Sequence, residues 1–182
     1  MKSRILMTIV ALMATAAMAA CAPTRVTRSG GETLDDATVT AKVKTALARD
    51  PSTSAFRIEV ETYRGEVQLN GFVDTADMKS SATRVTKSVG GVKGVSNNLE
   101  VSTSERTAGE VVDDGVITAK VKAALISDPN VSGHDVNVQT REGVVQLAGF
   151  VDSGTQKLKA SEVTRRVAGV RQVDNQLEVK QR

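Results

Sequence analysis

The run Gly65-Glu66-Val67-Gln68-Leu69-Asn70-Gly71-Phe72-Val73-Asp74 returns almost unchanged as Gly143-Val144-Val145-Gln146-Leu147-Ala148-Gly149-Phe150-Val151-Asp152. Side chains alternate across a pleated backbone, so Val67, Leu69, Gly71 and Val73 share one strand face and Gln68, Asn70 and Phe72 the other. Gly65, after Tyr63-Arg64, supplies a turn that pairs this strand with Phe56-Arg57-Ile58-Glu59-Val60. A glycine inside a strand costs stability, so Gly71 and Gly149 mark a bulge or a close backbone approach. Each copy is expected to be a hairpin with one buried face.

The similarity extends well beyond the hairpin. Asp35 aligns with Asp113 and Val101 with Val179 without a gap, and about half of the aligned positions are identical. Self-similarity over such a period is the mark of a duplicated domain. Each unit, of about seventy residues, is near the lower size limit for one core without metals or disulfides. Two domains packed together are therefore expected rather than two beads on a string.

Each copy gives the order helix, strand, strand, helix, strand. Asp35-Asp36 and Asp113-Asp114 offer N-caps to helices carrying Val39, Val43, Ala46 and Leu47, or Ile117, Val121, Ala124 and Leu125, at helical spacing. Asp50-Pro51 and Asp128-Pro129 end them, since a residue before proline is pushed out of the helical region. Asp74-Thr75 and Asp152-Ser153 cap a second helix with the stripe Met78, Ala82, Val85 and Val89, or Leu158, Ala160, Val163 and Val167. Gly91 and Gly169 close those helices. A last strand carries Val92, Val95, Leu99 and Val101, matched by Val170, Val173, Leu177 and Val179.

That order resembles the BON domain, through the Gly-x-Val-x-Leu-x-Gly-Phe-Val strand and the closing Gly-Val-x-x-Val-x-Asn-x-Leu run. The resemblance covers 35–101 and 113–179, with 102–112 as linker and 180–182 as a short tail. It implies an α+β fold of two tandem αββαβ domains, each a small three-stranded mixed sheet covered by two helices. It also implies no enzymatic activity and, for several members, contact with phospholipid.

Ahead of the repeats stands an export signal. Lys2 and Arg4 precede an apolar run from Ile5 to Ala17 that is short for a membrane span, then Met18-Ala19-Ala20-Cys21. Residues 1–20 resemble a lipoprotein signal peptide, with Met18 where leucine is usual, and Cys21 resembles a lipobox cysteine. Ordinary cleavage after Ala19 would instead leave a soluble periplasmic protein with a free thiol. As Cys21 is the only cysteine, no intramolecular disulfide can form in either case. Residues 21–34, with Pro23, Gly30 and Gly31 and no apolar period, are expected to be a tether. Ala22 in place of aspartate resembles an outer-membrane address. With the lipobox the chain resembles the dual-BON lipoproteins of Gram-negative bacteria; without it, the osmotically inducible periplasmic proteins.

The charge excess shrinks on export. Removing Lys2 and Arg4 from 24 basic residues leaves 22 against 21 acidic ones. Neither repeat then has a basic field suited to nucleic acid, and aromatic stacking platforms are nearly absent. The single histidine, His134, has no cysteine or second histidine to complete a metal site. The hydroxyl residues lack a base, and Ser88-Val89-Gly90-Gly91 lacks the lysine of a phosphate loop. The expectation is no catalysis, no cofactor, no metal and no small-molecule substrate.

Local patches carry what remains. Lys42 and Lys44 flank the apolar stripe of one first helix, Lys120 and Lys122 that of the other; their stems can lie on apolar surface while the ammonium groups meet phosphate. The resemblance assigns phospholipid contact to the first helix of the second repeat, hence to Lys120 and Lys122. A second cluster, Lys157, Lys159, Arg165, Arg166 and Arg171, surrounds Glu162. Phe72 and Phe150 fall out of step with the buried valines; a bulge could turn them inward, or the open faces of the two sheets could meet. The resulting expectation is a lipid-anchored envelope protein on the periplasmic face of the outer membrane, binding anionic phospholipid and supporting membrane integrity. The alternative is a protein-binding scaffold or chaperone-like stress protein that uses an exposed strand edge.

Overall fold

The computed structural model of the chain describes residues 29–53, 58–103 and 107–181. The signal peptide, Cys21 and the tether up to residue 28 lie outside the described residues. The chain divides into Met1–Glu32 and the compact unit Thr33–Arg182. The latter holds both sheets and both cores, the marks of a domain that can fold as a unit.

The elements of the first repeat are α1 (Ser29–Arg49), β1 (Ile58–Tyr63), β2 (Glu66–Val73), α2 (Ala76–Lys87) and β3 (Gly94–Val101). Those of the second are α3 (Ala108–Ser127), β4 (Asn137–Arg141), β5 (Val144–Val151), α4 (Gly154–Arg165) and β6 (Gln172–Val179), with a short 3-10 turn at Gly133–Asp135. Each sheet is three-stranded and mixed: β2 runs antiparallel to β1 and parallel to β3, and β5 runs antiparallel to β4 and parallel to β6. Arg64 (φ 53°) and Gly65 (φ 84°) both have positive φ, as do Glu142 and Gly143, giving the two-residue turn that fits a twisted hairpin.

One core joins Val39, Val43 and Leu47 of α1 to Val67, Leu69 and Val73 of β2, Ala82 and Val85 of α2 and Leu99 of β3. Val121, Leu125, Val145, Leu147, Ala160 and Leu177 repeat it in the second copy. Asn97 and Asn175 tie the last strand to the second helix: Asn97 Nδ2 donates to Lys79 O (2.7 Å), and Asn175 Nδ2 to Lys157 O (2.8 Å).

Several expectations are corrected. Residues 29–34 are helical rather than tether, and α3 begins at Ala108 inside the expected linker. Thr107 caps α3, accepting from Glu110 N while its own N–H donates to Glu110 Oε2. Such a capping box satisfies two of the free amides at a helix start. Asp36 and Asp114 are therefore interior to their helices and hold the hairpin turn instead. Asp36 accepts from Arg64 N (2.7 Å) and Gly65 N (2.9 Å). Asp114 does the same for Glu142 N (2.9 Å) and Gly143 N (3.0 Å). The second helices start as expected at Thr75 and Ser153 but end at Lys87 and Arg165, ahead of the glycines. Gly91 and Gly169 permit a close approach: a Cβ at Gly169 would lie 2.9 Å from Ile117 Cδ1. Leu158 leaves the expected stripe and is 73% exposed; Gln156 stands in register with Met78 and bonds the Asp152 N–H.

Both faces of β2 and β5 are buried, not one. Their helix-free faces meet in a seam with near two-fold symmetry. Gly71 N–H donates to Gln146 Oε1 (2.6 Å) and Gly149 N–H to Gln68 Oε1 (3.0 Å). The amide groups return the bonds, Gln146 Nε2 to Asn98 O (2.9 Å) and Gln68 Nε2 to Gln176 O (3.2 Å). Phe72 and Phe150 are buried, and Phe150 meets Tyr63 of the other repeat at 5.4 Å between ring centroids. Gly149 (φ 122°) brings the backbone close, since a Cβ there would lie 2.4 Å from Asp135 O.

Candidate functional site

Burial of Asp114, Val121 and Leu125 fixes which side of α3 faces the core. At 3.6 residues per turn, the opposite side is the row Val112, Val116, Ala119, Ala123 and Ile126. All five are exposed: Val112 at 64%, Ile126 at 51% and Val116 at 46%. A row of apolar side chains on the outer side of a helix has no core to serve.

Lys120 and Lys122 are two residues apart, so they cannot lie side by side on the helix. They border the outward row on opposite sides and are both exposed. The sequence pairs them with the inward stripe of Ile117, Val121 and Leu125; the structure assigns them to the outward one. Neither makes an ion pair or hydrogen bond among the described residues. Lys44 does, donating to Glu59 (2.9 Å), and the residue in register with Glu59 is Asn137, whose amide donates to Glu61 instead. Lys122 is thereby left facing solvent.

Lys120 also borders a cleft of about 500 Å³ between α3, the β4–β5 turn and the loop after α4. Its walls include Asp113, Val116, Ile117, Glu142 and Arg171, while Asp114 beneath is occupied by the turn amides. Bonds from Thr107, the backbone amide first, hold the Glu110 carboxyl below the usual range. Arg171 is placed by its backbone bond to Gly143 O (2.8 Å) and by its stem, which passes where a Gly143 side chain would be.

The other expected cluster is not one basic surface. Glu162 accepts from Lys159 (3.1 Å) and from Arg166, and Arg171 lies in the cleft beside α3. His134 is exposed, next to Asp135 at the seam. The seam carries carboxyls that the sequence alone does not single out. Burial pushes Glu61 up, with a bond from Asn137 opposing it, and burial followed by a hydrogen bond to Asp174 pushes Glu100 up. Among the described residues no group of three or more His, Cys, Asp or Glu is arranged to hold a metal, and no helix is long and apolar enough to cross a membrane.

Comparison with known proteins settles the family, because the BON domain model matches residues 35–103 and 113–181. The chain belongs to the BON-domain family. Among BON relatives, osmotically-inducible protein Y of Escherichia coli (strain K12) is 38% identical over 151 residues, covering 82% of this chain and 75% of that protein. Outer membrane lipoprotein DolP of Haemophilus influenzae is 34% identical over 147 residues, covering 80% and 75%. The 21 kDa hemolysin of Actinobacillus pleuropneumoniae is 33% identical over 148 residues, again 80% and 75%.

Proposed function

We propose that this chain is a non-enzymatic protein of the bacterial envelope, anchored through a lipid on Cys21. Its second BON domain contacts anionic phospholipid through the outer side of α3 and so supports outer-membrane integrity. The observation that carries this reading is the solvent-facing row Val112, Val116, Ala119, Ala123 and Ile126, bordered on its two sides by Lys120 and Lys122. An apolar row with basic borders is the pattern of a helix lying in a membrane interface. Similarity to a protein named as an outer membrane lipoprotein, together with the lipobox-like Met18-Ala19-Ala20-Cys21, supports the anchor. Similarity to a protein named as osmotically inducible supports a stress-related role. Anchoring at Cys21 would make a weak headgroup contact effective through high local concentration.

Flotation of the body from Ser29 to Arg182 with vesicles tests the contact free of any acyl chain. The body is expected to float with vesicles containing phosphatidylglycerol and not with phosphatidylcholine alone. Each lysine near an anionic surface contributes about 1 kcal/mol, so Lys120→Glu with Lys122→Glu weakens retention about thirtyfold or more. Lys42→Glu with Lys44→Glu leaves it intact. A body that stays at the bottom with every vesicle defeats this reading and turns attention to protein partners.

A further inference from the structure

The cleft beside α3 has a mixed lining that a plain anion site does not need. Lys120 and Arg171 supply cations, Glu110, Asp113, Asp114 and Glu142 carboxylates, and Val116 and Ile117 an apolar wall; of the carboxylates, Glu110 is held by Thr107 and Asp114 by the turn amides. The first repeat keeps the cations, Lys42 and Lys93, in the corresponding places. Glu142, however, stands where the first repeat has Arg64, and Val116 where it has Thr38. Arg64 donates to Gln181 O (3.0 Å) and lies over the Tyr63 ring, while Glu142 lies 4.0 Å from Arg141 Nε with its side chain still 41% exposed. What the second repeat adds to the cations, aspartates and inner apolar wall that both repeats have is therefore the carboxylate of Glu142 and the apolar side chain of Val116. Val116 and Lys120 line the cleft and are also exposed on the outward side of α3. A molecule in the cleft would therefore continue directly into whatever α3 lies on.

We propose that this cleft takes a zwitterionic headgroup bearing a primary amine, the phosphoethanolamine group of a membrane lipid, as a subsite beside the lysine contact described above, on which it rests. The phosphate lies between Lys120 and Arg171, and the ammonium group donates to Glu142 and Asp113. Glycerol on the lipid side passes Val116 toward the apolar row. A primary ammonium has three N–H donors for carboxylates, whereas a trimethylated amine has none. Phosphatidylethanolamine and phosphatidylcholine, though both neutral overall, are thereby distinguished.

Flotation of the Ser29–Arg182 body is compared on three vesicle types: phosphatidylcholine alone, phosphatidylcholine with phosphatidylethanolamine, and phosphatidylcholine with phosphatidylglycerol. About fivefold better retention with the ethanolamine lipid than with phosphatidylcholine alone is expected, the size of an exposed charge-assisted contact. Asp113→Asn with Glu142→Gln should remove that gain while leaving phosphatidylglycerol retention unchanged or higher. Because ethanolamine lipids also loosen headgroup packing, soluble glycerophosphoethanolamine is added to the body as a second probe. It should shift the backbone amide signals of Gly143 and Gly169, and glycerophosphocholine should not. Equal retention on the two neutral vesicles, or a gain that survives the double substitution, overturns the proposal. Phosphatidylglycerol retention then still stands as the separate measure of the lysine contact. Shifts with the soluble probe and no gain on vesicles would also overturn it, assigning the cleft to a free metabolite.

Discussion

The first helices of the two repeats are built alike on the inside and differently on the outside. Inward, Val43 and Leu47 of α1 match Val121 and Leu125 of α3, and Asp36 matches Asp114 at the hairpin turn. Outward, α1 presents Thr38, Ala41, Thr45 and Ala48 where α3 presents Val116, Ala119, Ala123 and Ile126. Duplication preserves what folding needs, namely a core stripe and a carboxylate for the turn. The solvent side is under no such demand, and there the copies differ: Val116, Ala123 and Ile126 stand where α1 has Thr38, Thr45 and Ala48. Lysines are present in both, yet Lys44 is held by Glu59 and Lys122 is not. Charge alone would not have separated the two copies.

The seam is where the copies should behave most alike, and breaking it gives the largest effect. Gln146→Ala leaves the buried Gly71 N–H without its acceptor and removes the bonds to Asn98 O and Asp174. A loss of about 3 kcal/mol is expected in urea unfolding, and Gln68→Ala should cost a similar amount through Gly149. If the two losses differ by more than about 1 kcal/mol, the near two-fold character of the seam is not energetic.

A smaller difference sharpens the comparison at the turns. Asp114 is 5% exposed whereas Asp36 is only half-buried, although each binds two turn amides. Removing a buried charged acceptor strands its donors more completely than removing one that water can replace. Asp114→Ala is expected to cost about 2 kcal/mol and Asp36→Ala about 1 kcal/mol, both by thermal or urea unfolding. Equal losses would mean that water does not reach the Asp36 site.

Much of this architecture was legible because it was written twice. The Gly65–Asp74 and Gly143–Asp152 runs gave the central strands, and Asn97 and Asn175 closed each repeat in register. The misplacements have local causes. Asp113-Asp114 carries the composition of an N-cap, but Thr107 with Glu110 shows that α3 begins earlier, leaving Asp114 for a turn that is distant in sequence. The chemistry of Leu158 suits an apolar stripe, but its register matches Ser80, not Met78. The sequence pairs the lysines of α3 with the inward stripe, as it does Lys42 and Lys44, because that stripe is what the copies share. Their surroundings differ where the copies do, at Val116, Ala123 and Ile126 and in the exchange of Glu59 for Asn137. Single glutamines gave no sign that Gln68 and Gln146 would bond across the seam, since that depends on two sheets meeting.

The smallest effect concerns Glu61, whose counterpart in the second repeat is Gln139. Burial raises the Glu61 carboxyl above its ordinary range, the Asn137 amide and Lys44 oppose the rise, and Glu59 and Asp135 add to it. A carboxyl raised in the folded state favours the protonated form there. The stability it contributes is complete below the unfolded value, about pH 4.3, and is lost as pH rises through the folded value. Glu61→Gln gives both repeats the same uncharged residue and removes that dependence. The unfolding free energy of the variant minus that of the parent should therefore rise from about pH 4 toward neutrality. Solvent screening at this half-buried site keeps the change under about 1 kcal/mol. Carboxyls shifted the other way, such as Glu110 held by Thr107, act equally in both proteins and cancel in the difference. A difference that is flat with pH would show that Asn137 and Lys44 offset burial completely, and that the seam tolerates a charge on one side as readily as an amide on the other.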